Sequence, residues 1–191
     1  MSNTTKQTDA TNTHVCPWQA VRGFDNFLRP LVHSPKKLFG PYVKPGMIAL
    51  DVGCGRGFAS LGLANLVGDD GMVISADLQP EMLDMVKQRA VTKGVEKRIM
   101  LHQCKTDKVG YESHIDFALN FWMLHEVPSQ QNFLTELYSV MNDGGHLFVA
   151  EPLFHVPKHD FATSVELAKT IGFKEIARPN VRFSRAVVLQ K

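Results

Sequence analysis

From Met47 onward, short runs rich in apolar and β-branched residues alternate with stretches whose apolar residues recur at helical spacing. No other feature narrows the fold as much. Strands are expected at Met47–Val52, Met72–Ala76, Arg98–His102, Ile115–Asn120 and His146–Ala150, and helices ending at Val67 and spanning Pro80–Lys93 and Ser129–Met141. A helix that returns the chain to start each new strand in the same direction makes parallel βαβ units, hence an α/β fold. The second crossover is the best defined: Pro80 suits a first helical turn, Leu83, Val86 and Ala90 share a face, and Gly94 can take the left-handed conformation that ends a helix. Asn142-Asp143-Gly144-Gly145 supplies turn chemistry before the fifth strand. A last helix, Phe161–Ile171, is stopped by Gly172. The runs Phe173–Ala177 and Phe183–Leu189 then follow with no helix between them, so they must pair antiparallel.

With 191 residues, of which 44% are hydrophobic, the chain suits one domain around one continuous core. Residues 1–13 are too polar to offset the entropy of ordering them and are expected to be a disordered tail. Residues 14–44, interrupted by Pro17, Pro30, Pro35 and Pro41, are expected to form a short helical extension, with the domain proper at 45–191. The net charge of +2 is spread without a basic tract, so nucleic acid is not an expected partner. A polar N-terminus and the lack of a long apolar run point to a cytoplasmic protein that neither enters nor spans a membrane. The odd count of widely spaced cysteines, Cys16, Cys54 and Cys104, argues against a disulfide framework and fits a reducing compartment.

Asp51-Val52-Gly53-Cys54-Gly55-Arg56-Gly57 closes the first strand and opens a helix, the context in which a glycine loop holds a nucleotide-type cofactor. A dinucleotide fingerprint would place its third glycine at position 58, but Phe58 stands there and the glycine has moved to Gly57. S-adenosylmethionine carries no phosphate. Its loop needs glycines because the methionine part lies against bare backbone that a side chain would block. Asp77 ends the second strand, where a ribose-binding acid is expected and where its carboxylate could accept both hydroxyls.

The glycine loop, Asp77, the run Phe121-Trp122-Met123-Leu124-His125-Glu126-Val127 and Asp143-Gly144-Gly145 together resemble the class I S-adenosylmethionine-dependent methyltransferases. The resemblance covers about Met47 to Lys191 and is nearest the group that includes quinone-biosynthesis and arsenite methyltransferases. It implies a Rossmann-like, doubly wound sheet of seven strands in the order 3-2-1-4-5-7-6 with the seventh antiparallel. It further implies that Asp51 supports the loop and the methionine end, that Gly53, Cys54, Gly55 and Gly57 line it, that Asp77 holds the ribose and that Leu78 covers an adenine face. Cys104, Lys105 and Thr106 fall where the family places an acidic or polar group near the adenine amine. The usual Asp is absent there and Asp107 is slightly late, which leaves the Thr106 hydroxyl or a backbone group for that contact.

Ligands of open α/β sheets sit beyond the carboxyl ends of the strands at the switch point, so Asn120 to Glu126 should border the site. Trp122 is a candidate wall for the sulfonium through a cation–π contact, with plain packing as the alternative. His125 and Glu126 are the candidates for deprotonating or orienting a methyl acceptor, because histidine titrates near neutrality and a carboxylate beside it raises its pKa; ordering the loop is the competing role. Glu151 and His155 belong to the same rim and could face the acceptor. Trp18, Phe24 and Phe27 could fold over the cofactor as a lid or pack into the core. The pairs His14/Cys16 and His155/His159 each supply only two metal ligands, so no metal is expected.

The expected function is therefore methyl transfer from S-adenosylmethionine to a small-molecule acceptor. Two other readings stand beside it: an NAD-dependent oxidoreductase, disfavoured by Phe58, and a binding or regulatory protein that keeps the cofactor but transfers nothing. Asn120-Phe121-Trp122 lacks the prolines of adenine-methylating enzymes, and the only neighbouring Cys and Pro, Cys16-Pro17, lie far from the fourth strand, where cytosine methylation would need them.

Overall fold

The structure, a computed structural model, describes residues 33–191. Trp18, Phe24 and Phe27, along with His14 and Cys16, lie outside the described residues. A short helix α1 (Pro35–Phe39) leads into β1 (Ile48–Val52), α2 (Phe58–Val67), β2 (Met72–Asp77), α3 (Pro80–Lys93) and β3 (Ile99–Gln103). After β4 (Ile115–Phe121) come α4 (Gln130–Val140), β5 (Met141–Pro152), α5 (Lys158–Ile171), β6 (Lys174–Ala177) and β7 (Ser184–Gln190). The sheet order is β3-β2-β1-β4-β5-β7-β6. The β1–β2, β2–β3, β1–β4 and β4–β5 pairs are parallel, whereas β7 runs antiparallel to both β5 and β6. This is the arrangement expected. The chain reverses its winding between β1 and β4, and there the strand ends part to leave a crevice.

Both faces of the sheet are covered, which is why the central strands read as nearly unbroken apolar runs. On one face Leu50, Ile74, Ala118 and Leu147 pack against Leu134 and Leu137 of α4 and Phe161 and Val165 of α5. On the other, Ala49, Val73, Phe117 and Phe148 meet Leu63, Ala64 and Val67 of α2 and Phe39 of α1. Phe39 is buried edge-on against Phe148, ring centroids 5.2 Å apart, so the described end of the N-terminal extension is part of the core.

Local signals account for most boundaries. Pro80 begins α3, and Gly94, at φ +65°, closes it while its N–H reaches the Ala90 and Val91 carbonyls. Ser129 caps α4 by accepting from the Asn132 N–H at 3.3 Å. Two boundaries differ from expectation by more than two residues. Helix α5 starts at Lys158 rather than Phe161, because its first turn, Lys158-His159-Asp160, is exposed and carries no apolar period. Asn142–Gly145 does not end the hydrogen bonding but bulges within β5, whose pairing with β4 jumps from Ile115–Met141 to Phe117–His146. Asp116 pins the bulge, accepting from Asn142 Nδ2 at 2.7 Å and from the Ile48 N–H at 2.8 Å. Gly144 (φ +80°) and Gly145 pair with Lys191.

Candidate functional site

The carboxyl ends of β1, β2, β4 and β5 open into a cavity of about 980 Å³. That is the upper end of the usual range for small-molecule sites and leaves space for a second molecule beside a nucleoside. The β1–α2 loop forms its floor. The Gly53 and Cys54 N–H groups both donate to the Ala76 carbonyl, at 2.9 and 3.0 Å, which folds the loop back over the end of β2.

The glycines of this loop divide by what surrounds them. All of Gly53, Gly55 and Gly57 have positive φ, at 68°, 51° and 78°. A Cβ on Gly53 would stand 2.6 Å from the Met123 side chain, and one on Gly57 would stand 2.9 Å from Val86 of α3. A Cβ on Gly55 would meet nothing within 4 Å. Only Gly55 therefore presents bare backbone to open cavity. Gly57 faces the helix and does not line the cavity, so its glycine is required by backbone and packing.

Asp77 stands beside this opening, 8% exposed. Its Oδ2 accepts from the Gly55 N–H at 2.9 Å and its Oδ1 from the Gln79 N–H at 3.0 Å. A carboxylate offers about four lone-pair sites, so each oxygen keeps capacity for one more donor, the geometry a vicinal diol needs. Burial pushes the Asp77 pKa up, opposed in part by the N–H donors of Gln79, Gly55 and Leu78. The residues present thus fit a sulfonium nucleoside: an open backbone position for its amino-acid chain and an acid for its sugar.

Asp51 and Asn120 lie behind the cavity wall. Asp51 is 2% exposed on the α2 side of the sheet, where Oδ2 accepts from the Ser60 hydroxyl at 2.6 Å, tying the loop-bearing strand to the helix that follows it. Asn120 is fully buried between Val52 and Val149, and neither of its amide atoms has a hydrogen-bond partner among the described residues.

At the far end, Leu78, Cys104, Lys105 and Thr106 line the cavity. Lys105 and Lys108 pair across a tight turn that leaves Thr106 and Asp107 exposed at its tip. The turn is tethered through the Val109 and Gly110 N–H groups, which donate to the Glu136 carboxylate at 3.0 and 2.6 Å. Burial, with the charges of Asp77 and Glu136, pushes the Cys104 thiol up to about 12. Burial, with Asp51 and Asp77, raises Cys54 likewise, so the thiols of Cys54 and Cys104 are neutral.

At the near end, Trp122 takes φ +65°, a conformation uncommon outside glycine, just after β4. Its indole N–H donates to Ser184 Oγ at 2.8 Å. Glu151 is not a solvated rim group: it is 2% exposed, Oε1 accepts from the Leu124 N–H at 2.8 Å, and Oε2 is hydrogen-bonded to His125 Nδ1. His125 Nε2 lies 3.9 Å from Glu126 Oε1, and the His155 ring packs on His125 at a centroid distance of 4.8 Å. Burial opposes the charged imidazolium, but the hydrogen bond to Glu151 and the charges of Glu151 and Glu126 outweigh it, and the His125 pKa rises.

Sequence reasoning missed several cavity residues. Gln130 and Ser164 join α4 to α5, with the Ser164 hydroxyl donating to Gln130 Oε1 at 2.6 Å. Gln130 opens α4, where a residue facing the crevice could have been sought, whereas Ser164 lies midway along α5 and carried no such signal. Phe154, 69% exposed beside Trp122, and Met82 carry no motif that would mark them. Among the described residues no helix is long and apolar enough to cross a membrane, and no group of His, Cys, Asp and Glu is arranged to hold a metal ion.

A family profile described as a methyltransferase domain matches residues 43–177. The ubiquinone/menaquinone biosynthesis C-methyltransferase UbiE of Shewanella frigidimarina is 29% identical over 123 residues, 64% of this chain and 48% of that protein. The demethylmenaquinone methyltransferase of Lactobacillus johnsonii is 32% identical over 110 residues, 57% of this chain and 45% of that protein. The chain spans about half the length of the curated relatives it matches. A crystal structure of a SAM-dependent methyltransferase from Aquifex aeolicus superposes with a TM-score of 0.81 at 21% identity, over 92% of this chain and 98% of that one.

Proposed function

The chain belongs to the class I methyltransferase-domain family, and from that premise we propose that it transfers a methyl group from S-adenosylmethionine to a small-molecule acceptor. Residues 45–191 are the transferase unit in this reading. One observation carries it: Asp77 stands at the cavity wall with acceptor capacity to spare, beside the one loop glycine whose Cβ position is open space. Asp77 would hold the ribose hydroxyls, Gly53 to Gly55 the amino-acid chain, and Leu78 with Cys104 to Thr106 the adenine. When bound, the cofactor supplies an electrophilic methyl group on a positively charged sulfur.

The chain's own residues do the rest by position. In-line displacement gains most of its acceleration from alignment, and the crevice between β1 and β4 offers a bounded space for the acceptor beside the loop. Val127, Pro128, Phe133, Phe154, Val156 and Pro157 give that space apolar walls, which exclude water from the reacting groups. Relatives named for quinone biosynthesis support an acceptor of small-molecule size. The free thiols of Cys54 and Cys104 suit a cytoplasmic setting.

Calorimetric titration with S-adenosylhomocysteine, followed by incubation with methyl-labelled S-adenosylmethionine and fractions of a small-molecule extract, tests the proposal. Saturable one-site binding and label transfer into an organic product are expected. No binding at millimolar ligand would overturn it.

A further inference from the structure

Glu151 and His125 are held together by more than proximity. Glu151 is anchored in the sheet on β5, opposite Arg185 of β7, and its Oε1 is committed to the Leu124 N–H. That leaves Oε2 for His125 Nδ1. A carboxylate only accepts, so Nδ1 must carry the proton. The other ring nitrogen, Nε2, then bears the lone pair when the ring is neutral. No hydrogen bond from the described residues engages it, and His125 lines the cavity on the acceptor side of the loop.

We propose that Glu151 is a positioning residue that fixes His125 with Nε2 as the proton acceptor for the methyl-accepting group, which makes the acceptor a neutral molecule whose reacting atom sheds a proton. This rests on the methyl-transfer reading above. In the step, the acceptor's lone pair forms the bond to the methyl carbon, and the pair of the broken carbon–sulfur bond stays on sulfur. The acceptor's proton passes to Nε2, and water later removes it. One positive charge is conserved, moving from sulfur to the imidazolium, where Glu151 faces it.

The charges around the ring agree with this assignment. Glu151 of β5 and Glu126 of the loop after β4 face it, His155 meets it edge to face, and Asp160 of α5 lines the same cavity. Among the described lining residues the lysines and arginines, Arg56, Lys105 and Lys108, belong to the loops after β1 and β3, at the cofactor end. A carboxylate or phosphate on the acceptor would find no lysine or arginine among the described lining residues of this end, whereas an imidazolium generated here is stabilised by Glu151 and Glu126. Glu151 and Glu126 also raise the affinity of the ring for a proton, as a base working near neutrality requires.

The test uses the full chain with ¹⁵N-labelled histidine. Nuclear magnetic resonance across pH should show His125 as the Nδ1–H tautomer when neutral, titrating above its ordinary 6.5. In Glu151→Gln the amide N–H₂ donates to Nδ1, so the tautomer should reverse to Nε2–H and the pKa should fall, while Glu126→Gln keeps the tautomer. S-adenosylhomocysteine affinity should change less than about threefold in either variant, since neither touches the cofactor end. With an extract fraction that supports label transfer, the rate should fall at least ~10-fold in Glu151→Gln, and the wild-type inflection should track the titration of His125. A wild-type ring found as Nε2–H, which needs no variant to fold, would overturn the proposal, as would a rate indifferent to Glu151→Gln. Absent S-adenosylhomocysteine binding with the Nδ1–H tautomer intact would instead sink the methyl-transfer reading and leave the paired geometry standing.

Discussion

Gly55→Ala and Gly57→Ala should have opposite consequences, although the residues are two apart in one loop. Both lie at positive φ, 51° and 78°, where an alanine costs roughly 1–2 kcal/mol relative to the right-handed conformation. At Gly55 little else is lost, because the new methyl meets nothing within 4 Å. At Gly57 the methyl would press on Val86 Cγ2 at 2.9 Å, and Val86 is fully buried. Overpacking of that kind adds roughly 1–3 kcal/mol, so Gly57→Ala should destabilise the fold by about 2–5 kcal/mol in all. For the ligand the order reverses. A methyl at Gly55 occupies the space assigned to the cofactor's amino-acid chain and should weaken S-adenosylhomocysteine about 10- to 100-fold; at Gly57 it points away from the cavity and should change the affinity of the folded protein little. Urea unfolding midpoints and calorimetric dissociation constants measure the two quantities separately. The reasoning fails if Gly57→Ala weakens binding more than Gly55→Ala, or if Gly55→Ala is the less stable of the two.

Asp77→Asn should weaken S-adenosylhomocysteine by about 2–3 kcal/mol, or 30- to 150-fold by calorimetry, because it replaces a charged acceptor of several hydrogen bonds. Since burial raises the Asp77 pKa, wild-type affinity should begin to fall on acidification at a higher pH than an ordinary aspartate would give. Ser60→Ala should lower stability by about 1–3 kcal/mol, seen as a lower denaturation midpoint, because it strips the hydroxyl from the buried Asp51 carboxylate. Burial lowers the His146 pKa from 6.5; its unfolded form binds protons more readily, so its contribution is present above 6.5 and is lost as pH falls through the lowered value. His125 works in the other sense, its pKa being raised: its contribution is complete below 6.5 and is lost as pH rises through the raised value. Stability profiles of His146→Phe and His125→Phe should separate the two.

Most of the strands and crossovers were legible because each strand is bounded by turn chemistry and each crossover carries a helical period, as with Pro80 and Gly94 on α3, while the strand order came from the family resemblance. Elements that escaped lacked such a period: the polar first turn of α5, and the bulge at Asn142–Gly145, whose turn residues are held in the sheet by Asp116 and Lys191. The cofactor end was legible as a motif but not as a mechanism. Spacing alone cannot tell that Gly57 faces Val86 while Gly55 faces open space, because that difference is made by α3 packing from elsewhere in the chain. Glu151 shows the same limit. Twenty-five residues separate it from Glu126 in sequence, and only the β4–β5 pairing shows that Glu151, rather than the adjacent acid, takes His125 Nδ1.

The decisive measurement is a crystal structure with S-adenosylhomocysteine soaked to saturation. Both ribose hydroxyls should donate to Asp77, the homocysteine chain should run along Gly53–Gly55, and the sulfur should face the side of the cavity that holds His125. Electron density for the nucleoside outside the crevice between β1 and β4, or with its sugar away from Asp77, would contradict the assignment.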